Sequence, residues 1–164
     1  MPTVSEHLRT KDVAFDLISH TQTYTSIEEA RALGLAADEV LKTVAVKTAT
    51  GYALAVVPGI RRLDMKRLRE AVGDRHIRLA TEEELERDFP DYDLGALPPM
   101  GSLLGVPMYV DPEVRKHETV VFAAGRQTES VKMRGEDLLR GEPATVVTLA
   151  RHPEEEERGK EQIG

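Results

Sequence analysis

Short apolar runs alternate with polar, turn-rich stretches along the whole chain, and the spacing within each run names an element. Leu41-Lys42-Thr43-Val44-Ala45-Val46-Lys47 is β-branched and alternating, Thr50-Gly51 turns the chain, and Tyr52-Ala53-Leu54-Ala55-Val56-Val57 returns as an apolar run, which together predict a hairpin. Pro58-Gly59 ends it, and Met65, Leu68 and Val72 recur at helical spacing up to Gly73. Upstream, the pattern predicts a short helix over 6–12 and a strand with Val13, Phe15 and Leu17 on its buried face. A helix follows over 27–33, opened by a capping box in which Ser26 accepts from the Glu29 N–H and closed by Gly34, and 37–40 adds one more helical turn. Downstream, 77–80 reads as a short strand and Thr81-Glu82-Glu83-Glu84 as a second capping box on a helix reaching Phe89. Strands are predicted over 108–111, 119–124, 129–133 and 144–149, with a helix over 136–139.

Many short strands with a few helices between them predict an α+β fold, a mixed β-barrel-like sheet surrounded by helices. The connections are too short for repeated crossovers, which argues against a doubly wound sheet. With 164 residues, 40% hydrophobic and 31% charged, the chain suits one domain, placed at 1–152. Residues 153–164 form an acidic tail expected to be disordered.

Charge narrows the partners. The net charge of −7 argues against a general nucleic-acid binder, but five glutamates in the tail against Arg158 and Lys160 carry −3 of it, leaving −4 on the rest. An RNA would have to meet a local patch. One candidate is the polar face of the 65–72 helix and its approach, with Arg62, Lys66 and Arg69 at helical spacing and Arg61 and Arg67 beside them. A solvated face and a phosphate-contacting patch both fit that pattern. The absence of cysteine excludes disulfides, thiol nucleophiles and thiolate-bound zinc. No apolar run approaches the roughly 20 residues that span a bilayer, and the N-terminus lacks the basic-then-apolar order of a signal peptide, so a cytoplasmic protein is expected.

The chain carries no Gly-x-Ser-x-Gly elbow, His-Glu-x-x-His pair, phosphate loop or dinucleotide fingerprint. His7, His20, His76, His117 and His152 fall at no metal-ligand spacing and read as surface or turn residues, so no metal and no cofactor are expected. Acidic pairs such as Glu83-Glu84 sit at helix starts and complement the macrodipole. Two features remain. Lys42 and Lys47 flank an apolar strand centre with opposite parity, as phosphate-binding charges or as sheet-edge residues that discourage aggregation. The stretch 93–107, with three glycines, three prolines and no charge after Asp93, is a shaped loop, read either as a rigid pocket wall or as an ordinary connection.

Four motifs in order resemble a known family: Val40-Leu41-Lys42-Thr43-Val44-Ala45-Val46; Val57-Pro58-Gly59 with Arg62 and Leu63; Gly95-Ala96-Leu97-Pro98-Pro99-Met100-Gly101; and Ala123-Ala124-Gly125 leading to Glu129-Ser130 and Met133. The set resembles the YbaK-like aminoacyl-tRNA deacylases, which include the editing domain inserted in bacterial prolyl-tRNA synthetases, over roughly residues 13–149. The resemblance implies that Lys42 holds the 3′ end of the aminoacyl-tRNA and that the loop from Gly95 to Pro99, with Gly101, grips the ester carbonyl. It likewise implies substrate contacts from Thr43, Ala96, Leu97, Pro98, Met100 and Gly125, and for such a substrate the helical face of Arg62, Lys66 and Arg69 is expected to meet the tRNA phosphates. The pattern departs after Gly125, where many relatives carry a histidine and this chain has Arg126-Gln127-Thr128, which leaves the subfamily open.

The implied activity is hydrolysis, in trans, of tRNA mischarged with a small amino acid such as alanine, serine, threonine or cysteine, a size suggested by apolar Leu97, Met100 and Leu103. An activated ester beside a ribose hydroxyl needs positioning and oxyanion stabilisation rather than a nucleophilic triad, which suits a chain without one. The partners implied are aminoacyl-tRNA and an aminoacyl-tRNA synthetase. Two other readings stay open, a non-catalytic binder of a small ligand or nucleotide and a synthetase-associated partner protein recruited through the tail.

Overall fold

The computed structural model describes residues 2–151; His152 and the acidic tail lie outside them. The hairpin read from the sequence is the centre of the molecule: β2 (Leu41–Lys47) pairs antiparallel with β3 (Tyr52–Pro58) in unbroken register from Leu41↔Pro58 to Lys47↔Tyr52. Around it β4 (Arg78–Leu79), β5 (Met108–Val110) and β8 (Thr145–Val146) complete a five-stranded sheet in the order β4-β2-β3-β5-β8. The β3–β5 and β5–β8 pairs are parallel, so the sheet is mixed as expected. The remaining strands, β1 (Phe15–Ser19), β6 (Thr119–Ala123) and β7 (Glu129–Arg134), form a three-stranded antiparallel sheet in the order β1-β7-β6. A parallel bridge between Val40 and Val121 joins the two. The arrangement is two open sheets, not the closed barrel that the barrel-like reading suggested.

Strand alternation builds the core on both faces of the larger sheet. Leu41, Ala45, Leu54, Val56, Met108 and Val110 face Val120, Phe122, Val131 and Met133 of the smaller sheet, forming the main cluster. Val46, Ala53, Ala55 and Val57 point the other way and pack on Leu68, the buried residue of α3 (Met65–Val72). Asp64 caps α3 by accepting from the N–H groups of Lys66 and Arg67, and Gly73 ends it in the left-handed region.

Four local expectations shift, each for a tertiary reason. α1 runs Val4–Thr10, capped by Thr3, because Val4 and Leu8 reach the core, and the chain leaves it through Asp12 at φ 53°. In β1, Phe15 packs on the core but Leu17 is exposed. The N-cap of α2 (Ser26–Leu33) is Thr25, not Ser26: Thr25 accepts from the Glu28 N–H, Glu28 reaches back to the Tyr24 N–H at 3.0 Å, and Glu29 turns inward. The last strand is only two residues long because the chain beyond it is drawn from the ladder by a buried carboxylate, Asp111, whose Oδ2 accepts from the Leu149 and Ala150 N–H groups at 2.8 and 2.7 Å.

The capping box on α4 (Glu82–Asp88) forms as read, with Thr81 and Glu84 satisfying each other's backbone N–H. The shaped loop contains one helical turn, α5 (Gly101–Leu104), and α6 (Gly135–Gly141) follows β7.

Candidate active site

Register decides where a ligand can enter. Leu54 donates its N–H to the Pro107 carbonyl at 2.9 Å, away from β2, so Ala45↔Leu54 and, two residues on, Thr43↔Val56 are non-hydrogen-bonded pairs. The main-chain groups of Thr43 and Ala45 therefore turn to the other edge of β2. There β4 pairs only with Val46 and Lys47, and Ala80 takes the Ala45 carbonyl at 3.0 Å. The rest of that edge is uncovered by any strand of the sheet and opens on a cavity of about 420 Å³.

Three segments close the cavity against β2. The first turn of α2 supplies Ser26, Ile27 and Glu29, the shaped loop supplies Gly95 and Leu97, and Ala80 and Leu85 lie beneath. Lys42 and Thr43 line it from the strand. Close approach of α2 depends on Gly59, where a Cβ would stand 2.2 Å from Ser26 Cβ and 3.0 Å from the Val40 carbonyl oxygen. Gly95 has φ 76°, and a Cβ there would lie 3.1 Å from the Tyr24 carbonyl oxygen, so this corner of the wall is open only to glycine.

The shaped loop is pinned to the turn after β6. Asp93 N–H donates to the Gly125 carbonyl, Gly125 N–H to the Ala96 carbonyl, Gln127 N–H to Asp93 Oδ2 and Gln127 Nε2 to the Leu94 carbonyl, all at 2.8–3.0 Å. Gln127, inside the stretch where the motif departs, thus holds the loop by its amide. Among the described residues, the N–H groups of Gly95 and Leu97 have no hydrogen-bond partner. Thr43 Oγ1 is enclosed and also without one.

Among the described residues, the charged side chains lining the cavity are Lys42 and Glu29. Glu29 is only 5% exposed, and its Oε2 accepts from Ser130 Oγ, a side chain with no solvent exposure. Burial pushes the Glu29 carboxyl above the ordinary carboxylate range, with the Ser130 bond and His20 pulling the other way. His20, read as a surface or turn residue, places Nε2 2.8 Å from Ser130 Oγ and Nδ1 2.7 Å from the Thr21 carbonyl oxygen.

The sequence candidates divide accordingly. Lys42, Thr43, Gly95 and Leu97 come together at the cavity. Ala96, Pro98, Pro99, Met100 and Gly101 are buried behind it, and Gly101 packs against the Val106 carbonyl and Met108, where a Cβ would meet oxygen at 2.5 Å. Met100 and Leu103 belong to the main core cluster and not to the cavity wall. Arg62 and Lys66 are exposed, whereas Arg69 is half-buried and donates from Nε to the Ile77 carbonyl at 2.9 Å. Lys47 lies outside the cavity with Nζ 4.3 Å from the centre of the Tyr52 ring.

Glu29, Ser130, His20, Gly59 and Gln127 join the site only in the fold. The sequence pattern puts Glu29 in a capping box; its one inward signal is its position beside Ala30 and four residues before Leu33, on the buried stripe of α2. A second hollow, about 830 Å³, opens at the β2–β3 turn between Thr48, Arg69, Asp74, Arg75, His76 and Tyr109, with charges of both signs and one sequence candidate, Arg69.

The sequence profile of the aminoacyl-tRNA editing domain matches residues 20–140, from His20 through Arg140, and so spans every element of this cavity. The chain belongs to that family. Among relatives of this editing-domain chain, an Enterococcus faecalis protein assigned as a Cys-tRNA(Pro)/Cys-tRNA(Cys) deacylase, EbsC, is 29% identical over 111 residues, 67% of each chain. A proline–tRNA ligase of Thermosipho melanesiensis is 32% identical over 83 residues, which are 50% of this chain and 14% of the ligase. Among solved structures, one described as a trans-editing enzyme for prolyl-tRNA synthetase superposes with a TM-score of 0.81 at 26% identity, covering 91% of this chain and 95% of that one. A hypothetical protein of known structure gives 0.82 at 25% identity, covering 90% and 99%.

Proposed function

We propose that this editing-domain protein is a trans-acting aminoacyl-tRNA deacylase that hydrolyses the ester of tRNA mischarged with a small amino acid. The observation that carries the reading is the cavity at the edge of β2 left uncovered by β4, which Lys42 and Thr43 line from the strand and Gly95 and Leu97 from the shaped loop. Lys42 supplies a fixed positive charge for the terminal nucleotide's phosphate. The Gly95 and Leu97 N–H groups supply donors for the ester carbonyl as it gains negative charge. The water or ribose hydroxyl that attacks is then held beside an already activated bond, where orientation contributes much of the rate.

Leu41, Leu85, Leu97 and Ala45 give the cavity apolar walls. Such walls favour alanine, serine, threonine or cysteine over larger side chains, and the assignment of EbsC as a Cys-tRNA deacylase favours cysteine among them. One methylene in an apolar pocket is worth only about 1–3 kcal/mol, so related substrates are cleaved at overlapping rates. Arg62, Lys66 and Arg69 are the proposed phosphate contacts on the tRNA body; the first two are exposed, and Arg69, half-buried, also donates from Nε to the Ile77 carbonyl.

Incubation of the protein with tRNAs charged with alanine, serine, threonine, cysteine and phenylalanine, followed by release of labelled amino acid, tests the reading. Release of small residues is expected. Binding of these tRNAs without release would replace the enzyme with a non-catalytic binder, and preferential release of phenylalanine would overturn the size argument.

A further inference from the structure

Glu29 lines the cavity, Ser130 lies behind it on β7, and His20 lies behind Ser130 at the end of β1, each bonded to the next. The far end of this chain fixes its protonation. A carbonyl only accepts, so the Thr21 carbonyl 2.7 Å from His20 Nδ1 requires a proton on that nitrogen. Ser130 has one O–H and two partners, Nε2 of His20 and Oε2 of Glu29.

Two arrangements satisfy both contacts. In one, His20 is the imidazolium and donates to Ser130, which donates to an ionised Glu29. In the other, a protonated Glu29 donates to Ser130, which donates to neutral His20. Both hold the same number of protons and differ only in where one of them resides, so a proton crosses between cavity and His20 by hydrogen shifts along two bonds. Removing that proton altogether leaves one contact without a donor.

We infer that Glu29 is the proton acceptor of the editing cavity and that Ser130 and His20 are positioning residues that share one proton with it and so set its protonation state. This rests on the deacylase reading above. Water loses a proton to the Glu29 carboxylate as its oxygen bonds to the ester carbonyl carbon, and the carbonyl electron pair moves onto oxygen. When the intermediate collapses, the bond to the ribose oxygen breaks and Glu29 returns the proton to that oxygen. The amino acid's new carboxyl then ionises to water as the product leaves, and Glu29 is again the carboxylate that accepts from Ser130. Burial favours this exchange by raising the Glu29 pKa above the ordinary carboxylate value. The charged groups around it are His20 beyond β1 and Lys42 on β2; β7 contributes the neutral Ser130, and Glu28 on the same helix turns outward to the Tyr24 N–H.

Glu29→Gln keeps the shape and removes the base, so kcat is expected to fall at least about 100-fold with KM little changed. Ser130→Ala removes the hydroxyl that favours the carboxylate, so the acidic limb of the kcat–pH profile is expected to move to higher pH, and Ser130→Thr is expected to restore it. A purely structural clamp between α2 and β7 would lower stability without moving that limb. A rise in KM at unchanged kcat in Glu29→Gln would make Glu29 a binder of the substrate's α-ammonium and overturn the proposal, as would an unshifted limb in Ser130→Ala. Titration of a 13C-labelled Glu29 carboxyl by NMR is readable in a protein that never turns over. There, a midpoint unmoved by Ser130→Ala refutes the coupling by itself, whereas a raised midpoint in a protein that releases no amino acid refutes the deacylase reading and leaves the coupled chain standing.

Discussion

Replacing Lys42 by methionine isolates one charge. Lys42 pairs with Val57 inside the longest ladder of the fold, so the backbone at that point is held by the hairpin and not by the side chain. Methionine keeps an unbranched stem of similar length, and the expected stability change is about 1 kcal/mol or less. The residue, by contrast, lines the 420 Å³ cavity together with Thr43 and with Gly95 of the shaped loop. Loss of one charge-assisted contact to a phosphate is worth about 1.5–3 kcal/mol, which converts to a fall of about 10- to 150-fold in kcat/KM. Lys47→Met is the control. Its Nζ lies over the Tyr52 ring at 4.3 Å, outside the cavity, so about 0.5–1 kcal/mol of stability is expected to go while deacylation stays at the wild-type rate. Single-turnover release of labelled amino acid, with folding checked by circular dichroism, reads both variants. Equal losses from the two, or an unaffected Lys42→Met in a folded protein, would refute the reasoning.

Gly59→Ala places a methyl where Ser26 already stands at 2.2 Å, so α2 must shift away from β3; denaturant unfolding is expected to show a loss of about 1–3 kcal/mol, and deacylation to fall further than the unfolded fraction accounts for, whereas wild-type stability and activity would show that the approach is not tight. The Arg78 guanidinium and the Thr81 N–H hold the Glu84 carboxyl down to about 2 from 4.5, so its stabilising contribution is complete above pH 4.5 and is lost as pH falls from there toward 2. Melting temperatures of wild type and Glu84→Gln should therefore differ at neutral pH and converge toward pH 2, and parallel curves would count against the pairing.

The sequence by itself determined the elements whose periodicity is local. The β2–β3 hairpin, α3 with its Gly73 stop and the Thr81–Glu84 box follow from alternation, 3.6-residue spacing and capping chemistry, all of which act within a few residues. The ordered motifs around Lys42, Gly59, Gly95 and Gly125 were enough to mark the family, and one residue of each lies on the cavity or on the hydrogen bonds that pin its loop. Tertiary structure alone decided the rest. Glu29 looked like a capping residue because the nearest donors in sequence are its neighbours' N–H groups; the buried hydroxyl that turns it inward is Ser130, 101 residues away. Ala144 to Leu149 looked like a full strand because its apolar character is local, while the carboxylate that draws its end from the ladder, Asp111, belongs to another strand's exit. Open sheets rather than a barrel, and a cavity at the uncovered edge of β2, likewise depend on how short β4 is when it meets β2, a matter of which distant segments find each other and not of the pattern within either.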